Sequence, residues 1–318
     1  MKILIVGYGK AGKRFYKLLK EFKKAYEVRI LRSREIKSNT TNSKISTMVD
    51  AINWLPDAAI ICSPATMHLE QAVELGSKGI NLLIEKPISV ETYNEQQMNT
   101  LINYENNIKI QVGYILRYLP CIKWVKQKLE ENYLAQIISA DFYCGSWLPD
   151  WRKDVDYRET VSANKKLGGG ALLELSHEID LAQYLLKDIK KIKYADKSKK
   201  SRLQMDVEDN AALWLESSMC SNISIRLDFC TRPAKRGFSI RSTNGEIKCN
   251  ILTQKAVLID ENGEATERTE EMRDMRQIYL DEFNHFIKEY DNATDLECTA
   301  KAAKRVLDII KEAKGKGD

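Results

Sequence analysis

The run Ile3-Leu4-Ile5-Val6 is followed at once by Gly7-Tyr8-Gly9-Lys10-Ala11-Gly12 and then by apolar residues at helical spacing. That succession leaves the chain few ways to fold. Four apolar residues in a row read as a strand buried on both faces, so the sheet they join is covered on both sides. Phe15, Leu18, Leu19 and Phe22 recur at i, i+3, i+4 and i+7, which predicts a helix with one face against that sheet. The pattern then repeats. Residues 28–31, 58–62, 80–85 and 108–112 read as further strands, and Leu69, Ala72, Val73 and Gly76 trace a second helical stripe. Ser89 is the expected cap of the helix leading to the last of these strands. Alternating strands and helices predict an α/β fold, a Rossmann doubly wound parallel sheet.

The texture changes near Pro120. A helix bearing Trp124, Val125 and Leu129 leads into residues 137–144, which alternate apolar and polar. Residues 190–260 read as strands with hairpin turns at Asn244-Gly245 and just beyond, at Asn262-Gly263. Alternation predicts an open, mainly antiparallel sheet with one covered face. The last fifty residues return to helix. The expected division is a dinucleotide-binding Rossmann domain over 1–119 and an α+β domain for substrate binding and oligomerisation over 120–318. A chain of 318 residues is long enough for both.

Composition excludes other classes. The net charge is +5, from 50 basic and 45 acidic residues, and the lysines are scattered, so no nucleic-acid partner is expected. The sequence has no apolar run long enough to span a bilayer and no charged-then-apolar leader, so the expectation is a cytoplasmic protein with no membrane partner. Seven cysteines without C-x-x-C spacing read as reduced thiols, and three histidines argue against a metal site.

The glycine loop is a candidate dinucleotide grip. Gly7 permits a tight turn, Gly9 lets backbone approach a pyrophosphate, and Gly12 lets the helix sit close to the strand. Tyr8, Lys10 and Ala11 complete the loop, and the helix start offers N–H groups to phosphate. The second strand runs out as Arg32-Ser33-Arg34 with no carboxylate until Glu35. A carboxylate there would hold the ribose hydroxyls of NAD, whereas Ser33 and Arg34 suit a 2′-phosphate. NADP(H) is therefore favoured over NAD(H). The alternative is that both arginines are merely solvated and affinity is dual.

Two further motifs carry proton chemistry. Glu85-Lys86-Pro87 ends a strand at the carboxyl edge of the sheet, where open α/β sheets bind ligands. Lys86 there is placed to share a proton with a substrate hydroxyl, or else is a solvated lysine before a turn proline. Gly168-Gly169-Gly170 leads into a segment whose Leu172, Leu175, Ile179, Ala182 and Leu186 space like one buried helix face. Glu174 and His177, three apart, would share another face, where the carboxylate orients the imidazole. The alternative is a surface histidine among ordinary salt-bridge neighbours. With the glycine loop, these motifs point to a nicotinamide-dependent dehydrogenase or reductase.

All three signatures resemble the Gfo/Idh/MocA family of oxidoreductases (glucose–fructose oxidoreductase, inositol dehydrogenase, rhizopine catabolism), over essentially the whole chain. Ser63-Pro64-Ala65-Thr66-Met67-His68 resembles the family's segment after the third nucleotide-domain strand. Residues 113–120 resemble its crossover into the second domain, and Arg232-Pro233 with Arg236 resembles a segment of its second sheet. The resemblance implies that Lys86 and His177 are catalytic, that Glu174 stands where many members carry an aspartate, and that the Lys86–Pro87 peptide is cis. One residue fewer separates Glu174 from His177 than in the commoner pattern, whereas Asp180 keeps its usual offset. Ser63, Pro64, His68, Glu85 and Lys86 would border the cofactor. Residues 148–158 resemble a subgroup linked to bacterial surface-polysaccharide and sialic-acid-like sugar pathways.

That likeness directs attention to Arg117, Trp151, Arg152, Arg158 and Asp180 as substrate residues for a sugar-like small molecule, neutral or anionic. Arg152 and Arg158 would clamp a carboxylate or phosphate, or equally pair with neighbouring Asp150, Asp154, Asp156 or Glu159. The expected reaction is hydride transfer to or from a sugar, sugar acid or nucleotide sugar. Two rivals stay open: glycosidic cleavage through transient oxidation, and a non-catalytic nucleotide sensor or scaffold. An uncovered sheet face predicts a homodimer or homotetramer.

Overall fold

The first sheet is built from β1 (Lys2–Val6), β2 (Glu27–Leu31), β3 (Lys44–Ile45), β4 (Ala58–Ile61), β5 (Asn81–Ile84) and β6 (Ile110–Val112). All its pairings are parallel, in the spatial order β3-β2-β1-β4-β5-β6. The computed structural model describes residues 1–21, 26–32, 44–269, 272–288 and 297–316. Ile3, Leu4, Ile5, Ile60, Ile61, Leu82 and Ile84 are fully buried, as solid apolar strands require. Around the sheet run α1 (Lys10–Glu21), α2 (Met48–Asn53), α3 (Ala65–Gly76) and α4 (Glu95–Tyr104). The strand order reverses between β1 and β4, so the crevice of an open α/β sheet lies at their carboxyl ends. Both the glycine loop and Ser63-Pro64 leave the sheet there.

The cap expected at Ser89 is corrected. Helix α4 starts later, where the Asn94 side chain accepts the Gln97 N–H at 3.1 Å, and Ser89 is buried in the preceding turn. Asn94 is the first residue past Pro87 whose side chain satisfies an orphan donor of that helix.

The second sheet contains β7 (Ile137–Gly145), β8 (Ile189–Ser198), β9 (Asn210–Ser217), β10 (Ile223–Asp228), β11 (Lys235–Ser242), β12 (Gly245–Asn250), β13 (Lys255–Ile259) and β14 (Ala265–Thr269). Its order is β14-β13-β12-β11-β7-β10-β9-β8, antiparallel throughout except for the β7–β10 pair. Hairpin turns fall at Asn244-Gly245 and Asn262-Gly263, with Gly245 and Gly263 at positive φ. Helices α5 (Pro120–Glu130), α6 (Ala171–Glu174) and α7 (His177–Leu186) pack on one face, over inward residues such as Ala140, Phe142, Leu213 and Ile225. On β8 and β9, Tyr194 and Trp214 point the other way and are more than half exposed.

By internal packing the chain forms two compact units, residues 1–114 with 282–305, and residues 115–281 with 306–318. Residues 282–305 belong to the end of α8 (Met275–Ile287) and the start of α9 (Ala300–Gly315), and side-chain and backbone contacts tie them to the first unit. Phe283 meets Tyr26 edge-on at 5.8 Å, Gln111 Nε2 donates to the Glu282 carbonyl, and the Val112 N–H donates to the Cys298 carbonyl.

Candidate active site

The glycine loop is tight in two places and open in one. Gly7 has φ +90°, and a β-carbon there would lie 2.7 Å from the Ser63 nitrogen. A β-carbon on Gly12 would collide with the Gly7 carbonyl, so helix α1 starts hard against the strand end. Around Gly9, by contrast, a β-carbon meets nothing within 4 Å. Space is thus left beside the first turn of α1, which carries Lys10 and Ala11 and whose N–H groups favour an anion. Tyr8 meets Tyr16 edge-on at 5.8 Å. This shape fits a dinucleotide pyrophosphate: a closed turn with one backbone approach kept clear. Ser33 and Arg34, expected at the ribose, lie outside the described residues. Arg32 anchors to β3 through its N–H to the Ile45 carbonyl.

Across the crevice the Lys86 turn is held from both sides. The Lys86–Pro87 peptide is cis, as the resemblance implied. Before it, the Glu85 N–H donates to the Ile61 carbonyl, and Arg14 Nη2 meets Glu85 Oε1 at 2.5 Å. That ion pair ties the first turns of α1 to the end of β5. After it, the Pro87 carbonyl lies 2.8 Å from His68 Nδ1, while His68 Nε2 lies 2.7 Å from the Ser63 carbonyl. Burial pulls the His68 pKa below its ordinary value, against the hydrogen bonds to the Pro87 and Ser63 backbone. His68 is 2% exposed and faces backbone on both nitrogens. It braces the loops after β4 and β5, although it was expected beside the cofactor. Ser63 Oγ donates to Gln71 Oε1, and Pro64 precedes the first turn of α3.

In the second unit, the segment expected as one helix is two. Leu175 leaves helical geometry at φ −99° and ψ 26°, α6 ends at Glu174, and α7 begins at His177 after Ser176. The shared helix face proposed for Glu174 and His177 therefore does not exist. Glu174 accepts from Ser162 Oγ at 2.6 Å. Helix α6 starts at Gly170, with φ +107°, where the Glu208 carboxyl fills the room a side chain would need and accepts the Leu172 N–H.

Arg117 and Asp180, expected at the substrate, are instead committed to each other. Arg117 Nε and Nη2 reach the two Asp180 oxygens at 2.9 and 2.5 Å, with side chains only 4% and 1% exposed. Arg117 also stacks on Tyr184 at 4.5 Å. The neighbouring Glu178, fully buried, pairs with Arg236 at 2.6 Å. Burial in low dielectric demands such partners. Two ion pairs thus fix α7, and half-buried His177 sits at its first turn.

The remaining substrate candidates sit nearer the surface. Trp151 donates to Ser146 Oγ and packs edge-on against Phe229. Arg152 is half-buried. Arg158 is exposed, with the guanidinium on Asp156 and Gln204, so the local pairing left open above is realised. Missed by sequence reasoning were Arg14, Ser162 and Glu282. Arg14 meets Glu85, 71 residues away, Ser162 meets Glu174, 12 away, and Glu282 is buried near Gly113; local spacing carries no signal for any of them. Among the described residues no cluster of histidine, cysteine, aspartate or glutamate suits a metal.

A family profile described as "Oxidoreductase family, NAD-binding Rossmann fold" matches residues 1–114, and the "GFO/IDH/MocA C-terminal domain" matches residues 122–248. The chain belongs to the Gfo/Idh/MocA oxidoreductase family. It is 23% identical over 188 residues to the 2,7-anhydro-N-acetylneuraminate hydratase of Mediterraneibacter gnavus, covering 57% of this chain and 48% of that one. It is 24% identical over 253 residues to the glucose-6-phosphate 3-dehydrogenase of Bacillus subtilis, covering 75% and 71%. The match spans about half the length of the first of these relatives. A levoglucosan dehydrogenase solved with NADH and levoglucosan superposes with a TM-score of 0.81 over 98% of this chain and 95% of that one, at 16% identity, which shows a shared fold. The family is one of NAD-binding Rossmann proteins.

Proposed function

We propose that this chain is an NAD(P)-dependent oxidoreductase acting on a carbinol or carbonyl carbon of a sugar, sugar acid or nucleotide sugar. The observation that carries the reading is the crevice at the strand reversal, open at Gly9 and flanked by the braced Lys86 turn. The bound nicotinamide dinucleotide supplies or accepts the hydride. Gly7, Gly9 and Gly12 with the first turn of α1 hold its pyrophosphate, and Ser63, Pro64 and Glu85 border it. In this reading Lys86 polarises the reacting oxygen and His177 takes or returns its proton, a contribution of roughly 10²–10⁴-fold. Arg152 and Trp151 meet the sugar. The first unit binds cofactor and residues of the second bind substrate.

Three finer points belong to the same reading. Ser33 and Arg34 favour the 2′-phosphate of NADP(H), since no carboxylate precedes Glu35 on that segment. The substrate is anionic: the hydratase and the glucose-6-phosphate enzyme are both named for anionic sugars. The enzyme is cytoplasmic: all seven cysteines are free thiols, and among the described residues no helix is long and apolar enough to cross a membrane.

A relative named as a hydratase supports a second reading, in which the substrate is transiently oxidised, the cofactor is reduced and then reoxidised within one turnover, and the net change is addition or loss of water. Product analysis beside nicotinamide absorbance separates the two, using a panel of sugar acids, sugar phosphates and nucleotide sugars with NADPH and NADH. Stoichiometric cofactor change supports the dehydrogenase. Product formed without net cofactor change supports the second reading, and nucleotide binding with no product from any of them contradicts both.

A further inference from the structure

A buried carboxyl lies close to the Lys86 turn and is unused by the proposed proton transfer. Glu282, on α8, is 1% exposed, and its Oε1 is buried without a hydrogen-bond partner. Glu85 is its neighbour. A β-carbon placed on Gly113 would lie 3.5 Å from Glu85 Oε2 and 3.6 Å from Glu282 Oε1, so both carboxyls face the same α-carbon. Arg14 is engaged with the other oxygen of Glu85. The Arg14 guanidinium therefore faces one half-buried acid and one fully buried acid. A second full negative charge here is costly, whereas a neutral acid has an O–H to give.

We propose that Glu282 is a positioning residue: as a neutral acid it donates to the Glu85 carboxylate, and with Arg14 it fixes the turn that presents Lys86. The role in positioning Lys86 rests on the function proposed above. Glu85 is the residue before Lys86, and His68 already holds the residue after it. Glu282 therefore supplies the inner support on the side that His68 leaves open. The charged and titratable groups facing it are Glu85 at the end of β5, Arg14 on α1 and Cys62 after β4. Burial, then the charge of Glu85, push the Glu282 carboxyl well above the carboxylate range, with Arg14 opposing. Burial also pushes up the Cys62 thiol, followed by Glu85, with Arg14 opposing and Glu282 adding to the rise.

The linkage has a definite sign. In the folded chain Glu282 keeps its proton above the ordinary value of 4.5, where the unfolded chain has lost it. Folded protein then binds more protons than unfolded, so stability falls as pH rises from that value towards the folded pKa.

The test uses the whole chain, with NADH as the binding probe. Difference infrared spectra of the wild type against E282Q should show a protonated-carboxyl stretch near neutral pH that disappears on the alkaline side. E85Q removes the neighbouring charge and should move that disappearance to lower pH. NADH affinity should weaken on the same alkaline limb in the wild type. E282Q, which keeps a donor, should hold neutral-pH affinity within about twofold and lose the limb, while E282A should weaken binding at least about tenfold. Absence of the protonated band in the wild type, or an E85Q spectrum with an unmoved transition, overturns the proposal. So does an E282Q pH profile identical to that of the wild type. If the wild type binds neither NADH nor NADPH, the functional reading fails, while the infrared comparison still decides the state of Glu282.

Discussion

Gly7, Gly9 and Gly12 share a side chain and differ in what surrounds it. Gly7 is held by a positive φ and by the Ser63 backbone, and Gly12 by the Gly7 carbonyl. Gly9 is held by neither. Gly9→Val is therefore expected to fold with stability changed by no more than about 0.5 kcal/mol, as at an unconstrained surface position. Its NADH affinity should fall at least about tenfold, because the added methyl groups stand where a phosphate approaches. Thermal melting and NADH fluorescence titration check the two halves, and unchanged affinity would remove Gly9 from the cofactor site. The glycine spacing was legible because the fingerprint is local. The fates of Arg117 and Asp180 were not. They are 63 residues apart, and nothing in either segment announces that each is the other's counter-ion. His68 shows the same limit: its partners are two backbone carbonyls brought together by adjacent strand ends.

Helix α7 owes its place to charge as well as to apolar burial. Leu181, Ala182, Leu185 and Leu186 fill its inner face, while Asp180 and Glu178 are tied to Arg117 and Arg236. Arg117→Met takes the two-pronged guanidinium away from buried Asp180, and should destabilise the chain by about 3–5 kcal/mol in denaturant unfolding. Adding Asp180→Leu should recover much of that loss, since an apolar pair needs no counter-ion. No recovery in the double variant would mean that packing rather than charge sets the cost. Apolar periodicity predicted this element's buried face correctly but ran through its break. Leu175 and Ser176 satisfy the helical spacing, and only the backbone turn at Leu175 separates Glu174 from His177. Similarly, Ser89 was a reasonable cap by type, but Asn94 is the residue that meets the helix donors.

At the scale of the molecule, sheet type was legible because solid and alternating apolar runs differ in kind. The return of residues 282–305 to the first unit was not, since helical periodicity does not name the sheet a helix packs on. The outer face of the second sheet bears Tyr194 and Trp214, each more than half exposed in the single chain. Such a face suits a homodimer or homotetramer. Light scattering should show the oligomer, and Trp214→Glu should shift it towards monomer, whereas a monomeric wild type at micromolar concentration would contradict the expectation. Under the proposed function, Lys86 and His177 serve a single hydride transfer. Steady-state turnover of Lys86→Ala and His177→Asn, measured beside NADH or NADPH affinity on the substrate that the sugar panel identifies, tests it most directly. The account predicts turnover reduced roughly 10²–10⁴-fold in each variant, with cofactor affinity within a few-fold of the wild type. Near-normal turnover in both variants would contradict it.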